Sequence, residues 1–337
     1  MNALALSSGL LVGLAYGYVA HRGAFCLNSG FRDLVARGTT VKVKALGLAV
    51  ALNLVFLPVV LALTGQQPSY PALFPVSAIL GGVLFGACMH SAGGCAAGVW
   101  YKAGAGDVGA AIAVAGLALG AVATETGPLA VVRAALQSIW AVSASAPPPA
   151  IAGVSLGIVS AALGGLLLCG LWFMEDGVAG AWTWRRTGLW IGIIALAAWP
   201  ASALAGGTFG LSVVPGAVGG LQVLTGVSLP VPSWNVLLVL GIAVGGFLAR
   251  RTTRGGTPGA SQPAALLKRF AGGLGLGIGA SLAGGCTVGH GLTGLPLLAP
   301  ASIVVMLAIF TGSAARARWP VFPRDAATRW STRGRVA

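Results

Sequence analysis

The sequence predicts an all-α polytopic membrane protein, with about nine transmembrane helices and an inverted internal repeat. Three observations predict it. Of 337 residues, 56% are hydrophobic and 8% charged, with a mean hydropathy of +0.90. A soluble domain carries about 25% charged residues, so lipid is the natural solvent for this chain. Nine apolar stretches can be drawn, and nineteen of the twenty Lys and Arg fall where a single orientation puts them on one side.

In order, the stretches run over 4–20, 45–64, 73–89, 108–126, 151–173, 187–204, 234–249, 267–283 and 297–315. The first lacks a basic n-region and an Ala-x-Ala end, so it reads as the opening helix and not as a cleaved signal. The third and eighth are short and glycine-rich, and are expected to tilt or partly unwind. With the N-terminus outside, the inward loops hold Arg22, Arg32, Arg37, Lys42, Lys44, Lys102, Arg185, Arg186, Arg250, Arg251, Arg254, Lys268 and Arg269. The tail, 316–337, adds Arg316, Arg318, Arg324, Arg329, Arg333 and Arg335, and Arg133 alone lies outside. This positive-inside bias predicts nine crossings with the N-terminus outside and the C-terminus inside. It also accounts for the net charge of +14 without nucleic acid, since no aromatic residues interleave with the bases as stacking platforms.

The chain resembles itself. Residues 85–95, FGACMHSAGGC, match 277–286, GIGASLAGGC; residues 23–30, GAFCLNSG, match 207–214, GTFGLSVV. Both pairs occur in the same order at nearly the same separation. An odd number of spans lies between the units, so they insert with opposite polarity, a transporter architecture whose substrate site lies at the repeat interface. The whole of 1–337 is then a single transport domain: a first unit over 1–126, a linking helix and inner loop over 127–186, an inverted second unit over 187–315, and the basic tail.

The cysteines carry the chemistry. Cys26, Cys95 and Cys286 lie in breaks between apolar runs, each with a histidine near it in sequence (His21, His90, His290). Polarity brings Cys26 and Cys95 in from the inside and Cys286 from the outside, and the two Gly-Gly-Cys breaks are expected to meet near the midplane. Gly210 takes the place of Cys26 in the second unit. Broken helices offer free N–H groups to an anion, glycines such as Gly94 and Gly285 let it approach the backbone, and a thiol adds a soft surface and a weak donor. That set suits an anion with an exposed sulfur. Copper(I) or zinc conduction is the rival reading, although Cys88-x6-Cys95 and Cys286-x3-His290 make no tight framework. Three small cysteines packing in glycine-rich crossings, in a non-transporting membrane protein, is the plainest reading. A dithiol enzyme has no Cys-x-x-Cys to support it, and no cofactor is called for. Cys169, in Leu-Leu-Leu-Cys-Gly-Leu, is expected to be a small buried hydrophobe. Supporting candidates are Arg22 and Arg32 flanking Cys26 with Asp33 as a partner, Asn28 and Ser29 at the exit, Lys102 at the inner mouth, Thr287 in the second break, and His90 and His290 as donors when charged. Glu175 and Asp176 are expected to sit solvated beside Arg185 and Arg186. There is no Walker A sequence, so the chain hydrolyses no ATP.

The segments RGAFCLNSGFRD (22–33), AGGCAAGVWYKAGAGD (92–107) and AGGCTVGHGLTG (283–294), in this order, resemble the signature segments of the YeeE/YedE sulfur-transport family of bacterial inner-membrane proteins, which implies a periplasmic N-terminus and a cytoplasmic C-terminus here. The likeness runs from the first span to the ninth. It implies thiosulfate uptake through an hourglass-like inverted-repeat fold of nine crossing helices and short broken ones. It also implies that Cys286 on the periplasmic side, Cys95 at the centre and Cys26 on the cytoplasmic side hand the anion along by transient S–H hydrogen bonds to sulfur. Relatives carry other sulfur or selenium species, and some work beside a small sulfurtransferase of the TusA type. One polypeptide, acting as a monomer, is expected to suffice.

Overall fold

Thirteen helices in the computed structural model account for most of residues 3–142, 150–151, 154–226, 234–252 and 263–318, which are the residues described. They are α1 (Ala3–Arg22), α2 (Leu27–Arg37), α3 (Val41–Thr64), α4 (Pro75–Ala92), α5 (Ala96–Gly104), α6 (Val108–Glu125), α7 (Ala130–Ile139), α8 (Leu156–Trp172), α9 (Trp184–Ala203), α10 (Val214–Leu224), α11 (Trp234–Arg251), α12 (Pro263–Ala283) and α13 (Pro300–Arg318). A π-helical turn covers Gly289–Gly294. The only strands among the described residues are two small antiparallel ribbons, Ala150–Ile151 with Val154–Ser155 and Val178–Ala179 with Trp182–Thr183. The chain is an all-α polytopic membrane protein.

Each of the nine apolar stretches falls on one helix: α1, α3, α4, α6, α8, α9, α11, α12 and α13. By length and apolarity alone, six spans among the described residues qualify as membrane-crossing. Two of them, Ala5–Arg37 and Pro75–Gly104, join a long helix to the short one after its break. Of the remaining stretches, α8 has only 17 residues, while Arg185 and Arg186 in α9 and Lys268 and Arg269 in α12 dilute hydropathy at the base-rich ends. The eighth stretch stays helical throughout and the third from Pro75 onward, and both break just beyond, at Gly93 and Gly284, with φ of +79° and +77°. That left-handed conformation is open to glycine and closes a helix without strain.

Close approach of the helices sets their directions. The α1–α11 pair is parallel, with Gly9 on Trp234 and Gly13 on Leu238; α3–α9 is parallel, with Gly188 on Ala45 and Gly192 on Ala49. The α6–α12 pair is parallel, with Gly116 on Phe270 and Gly120 on Leu274, and so is α4–α13, with Gly82 on Val305 and Gly86 on Ile309. In contrast, α1–α9, α4–α12 and α3–α8 are antiparallel: Ser8 donates to the Ala201 carbonyl at 3.1 Å, Ser77 to Leu282 at 2.6 Å and Ser160 to Leu54 at 2.8 Å. Small residues at such crossings let backbones meet, which is how helices associate without a hydrophobic drive in lipid.

The two ends of the bundle differ chemically. At one, Arg22 reaches the Thr252 carbonyl at 3.3 Å, Lys44 reaches Glu175 at 3.2 Å, and Arg250 donates to Ala105. Asp33 gathers Lys42 at 2.8 Å, Arg32 at 3.4 Å and Arg37 at 3.9 Å, and Arg185 pairs with Asp176 at 2.7 Å on the exposed surface, as expected. At the other end, Ser69 N–H bonds the Thr208 carbonyl at 2.8 Å and Gln66 the Gly207 carbonyl at 3.0 Å. Arg254, Arg324, Arg329, Arg333 and Arg335 lie outside the described residues.

One expectation is overturned. Cys169 is exposed on α8 and not buried. That helix packs on α3 through Ser160, Gly164 and Leu171 and turns Ile158, Leu163, Leu166, Cys169 and Trp172 outward. In lipid an apolar face needs no protein cover, so a hydrophobic run does not imply burial.

Candidate functional site

The three motif cysteines each open a new helical segment. Cys26 is the N-cap of α2 and Cys95 the N-cap of α5, both with extended backbone. Cys286 directly precedes the helical Thr287–Val288 and the π turn. All three are buried and none is in a disulfide. Their sulfurs face backbone N–H groups: those of Ser29 and Cys95 for Cys26, of Gly98 and Leu27 for Cys95, and of Val288, Gly289 and Val213 for Cys286. Thiols thus stand where helix N-termini already favour negative charge.

Cys26 and Cys95, 69 residues apart in sequence, come together with their sulfurs 3.9 Å apart. Gly98 makes room for both. A Cβ there would lie 2.8 Å from the Cys26 sulfur and 3.3 Å from that of Cys95. Two residues escaped the sequence reading. Tyr16, 2% exposed, is close enough to interact electrostatically with all three thiols, and Tyr101 with Cys26 and Cys95. Their sequence signal was a phenol in a mostly apolar stretch, Tyr16 ahead of the first break and Tyr101 beside Lys102.

The remaining candidates divide. Lys102 Nζ donates to the Gly93 carbonyl at 2.6 Å, holding the broken end of α4, and the Arg269 guanidinium covers the same glycine. Asn28 is buried with Oδ1 unpartnered, and Ser29 donates to the Cys26 carbonyl at 2.9 Å. Arg22 and Arg32 are engaged at the base-rich end by the Thr252 carbonyl and by Asp33. Asp107 caps α6, accepting from Ala110 N–H at 3.0 Å. His90 Nε2 is 3.2 Å from both the carbonyl and hydroxyl of Ser313, so it joins α4 to α13. His290 Nδ1 meets Ser302 Oγ at 2.9 Å, while its Nε2 lies beside Gly285 without a hydrogen bond of good geometry. Thr287 Oγ1 is buried and unpartnered. Among the described residues, no three of His, Cys, Asp and Glu come together as a metal ion would require.

Comparison with known proteins gives a consistent answer. The profile of a family described as "Sulphur transport" matches residues 22–315. The chain is 32% identical over 310 residues to the thiosulfate transporter TsuA of Escherichia coli K12, covering 85% of this chain and 86% of that protein. It is 31% identical over 337 residues to the thiosulfate transporter TsuA of Spirochaeta thermophila, covering 94% and 99%. A shorter likeness, 36% over 110 residues, is to the probable transporter YedE of E. coli K12. The chain belongs to the sulphur transport (YeeE/YedE) family.

Proposed function

We propose that this chain carries thiosulfate inward across the bacterial inner membrane, passed from Cys286 to Cys95 to Cys26. The observation that carries the reading is the pair of buried sulfurs at 3.9 Å, each set over helix N–H groups inside an apolar bundle. Thiosulfate presents a terminal sulfur that a thiol S–H can contact, and oxygens and charge that N–H groups can hold. Two well-covered relatives are named as thiosulfate transporters, which supports the cargo.

The helix packing supports nine crossings with an inverted repeat. The directions worked out above alternate through α1, α3, α4, α6, α8, α9, α11, α12 and α13. Exchanging the first unit for the second turns α1–α11 into α9–α3 and α4–α13 into α12–α6, and leaves α1–α9 and α4–α12 unchanged. The base-rich end would be cytoplasmic, placing the Cys26–Cys95 pair on the inward half of the path.

Expression in a bacterium lacking its own thiosulfate uptake, with thiosulfate as sole sulfur source, tests the reading. Growth is expected. Failure to grow with the protein present in the membrane would remove thiosulfate as cargo and turn attention to other sulfur or selenium species.

A further inference from the structure

We infer that the indole N–H of Trp199 is an oxyanion donor in the outer half of the path, standing where the repeat lacks a fourth thiol; this rests on the thiosulfate reading above. In the second unit Gly210 replaces Cys26. Its φ is not in the left-handed region, so backbone conformation does not demand glycine there. Space does. A Cβ on Gly210 would stand 3.0 Å from Trp199 Nε1 and 3.1 Å from Thr293 Cγ2.

Trp199 is fully buried, and its Nε1 has no partner. A buried donor left unmade is costly, so its persistence points to an acceptor supplied from elsewhere. The same loop reaches the outer thiol. The Val213 N–H faces the Cys286 sulfur, and Thr293 Oγ1 bonds the Leu211 carbonyl at 3.0 Å. Thr287 Oγ1, beside Cys286, is a second buried polar group without a partner. Gly210 also lines a cleft of about 600 Å³, with Ser202, Phe209, Ser212 and Gly284. An open cleft therefore reaches Gly210, the residue against which the Trp199 nitrogen is packed.

Thiosulfate has one sulfur and three oxygens. In the outer half a thiol would take the sulfur, while an N–H and a hydroxyl take oxygens. In the inner half two thiols, each over backbone N–H groups, share the same roles. The Trp199 nitrogen and Cys286 are both sealed from solvent in this conformation. The anion therefore meets them when the 206–213 segment shifts.

Thiosulfate flux into proteoliposomes tests this, comparing wild type, Trp199→Phe and Gly210→Ala. No wild-type flux would sink the thiosulfate reading itself. Given wild-type flux, Trp199→Phe keeps the ring and loses the donor, and should raise KM about tenfold or more, as for loss of a hydrogen bond to a charged group. Its melting temperature should stay close to wild type. Wild-type KM in Trp199→Phe, with or without lower melting temperature, would reduce Trp199 to packing and overturn the inference. If Trp199→Phe does not fold, Gly210→Ala decides, since it keeps the indole and fills the space before it. A raised KM supports the inference, and an unchanged one overturns it.

Discussion

Replacing Gly98 by alanine sets a methyl group between the two inner thiols. Its Cβ would stand 2.8 Å from the Cys26 sulfur and 3.3 Å from that of Cys95, whereas comfortable heavy-atom contacts lie near ~3.5–4.0 Å. Relief comes either from rotation of the Cys26 side chain or from displacement of α5. Both break the 3.9 Å sulfur pair. Overpacking of this kind costs about 1–3 kcal/mol. Alanine returns about 1 kcal/mol of helix propensity, so the net loss is about 0–2 kcal/mol and the protein should still fold. Transport should not survive: uptake at matched membrane levels is expected to fall about tenfold or more, the equivalent of about 1.4 kcal/mol in passage of the anion. Gly165→Ala, at a helix position with nothing within 4 Å, is the control and should transport normally. The double variant Cys26→Ala, Gly98→Ala removes the closer of the two contacts and should regain stability, with uptake no higher than that of Cys26→Ala alone. A Gly98→Ala protein that takes up thiosulfate at the wild-type rate would refute the idea that thiol spacing matters.

Cys95→Ala and Cys95→Ser should nearly abolish uptake, as should the same changes at Cys286. Under the proposed repeat Gly210 takes the place of Cys26, so Cys26 should tolerate change better, and the exposed Cys169→Ala should be normal; uptake with quantified membrane protein checks the series. Lys102→Met leaves the Gly93 carbonyl without its ammonium partner and should cut uptake several-fold, whereas Lys102→Arg should keep most of it. A reporter fused after Ala337 should be active only in the cytoplasm, and periplasmic activity would reverse the orientation drawn from the charge bias.

Helix placement was legible because composition and breaks speak locally. Nine apolar runs fell on nine helices, and Gly-Gly-Cys marked two chain breaks because a left-handed glycine can end a helix and the next residue can start another. What the sequence could not show was distance across the fold. Nothing in residues 23–30 says that Cys26 will face Cys95, and Gly98, which makes room for the contact, reads as one glycine among 54. Lys102 was visible as a base near the mouth, but its hold on Gly93 depends on how α5 folds back beneath α4. Cys169 was misplaced because burial was inferred from hydrophobic neighbours, a guide that holds in water and fails where lipid covers the surface. Trp199 carried no motif; its place opposite Gly210 emerges only when α9 and the following loop are folded together.

The most direct test of the central claim is anion selectivity in reconstituted liposomes. Thiosulfate and sulfate share charge and shape and differ in one sulfur for one oxygen, so only a site that contacts that sulfur can separate them. Thiosulfate flux about tenfold or more above sulfate flux, a difference of about 1.4 kcal/mol in passage, is the predicted result. Equal passage of the two anions, or copper(I) or zinc flux without thiosulfate flux, would contradict it.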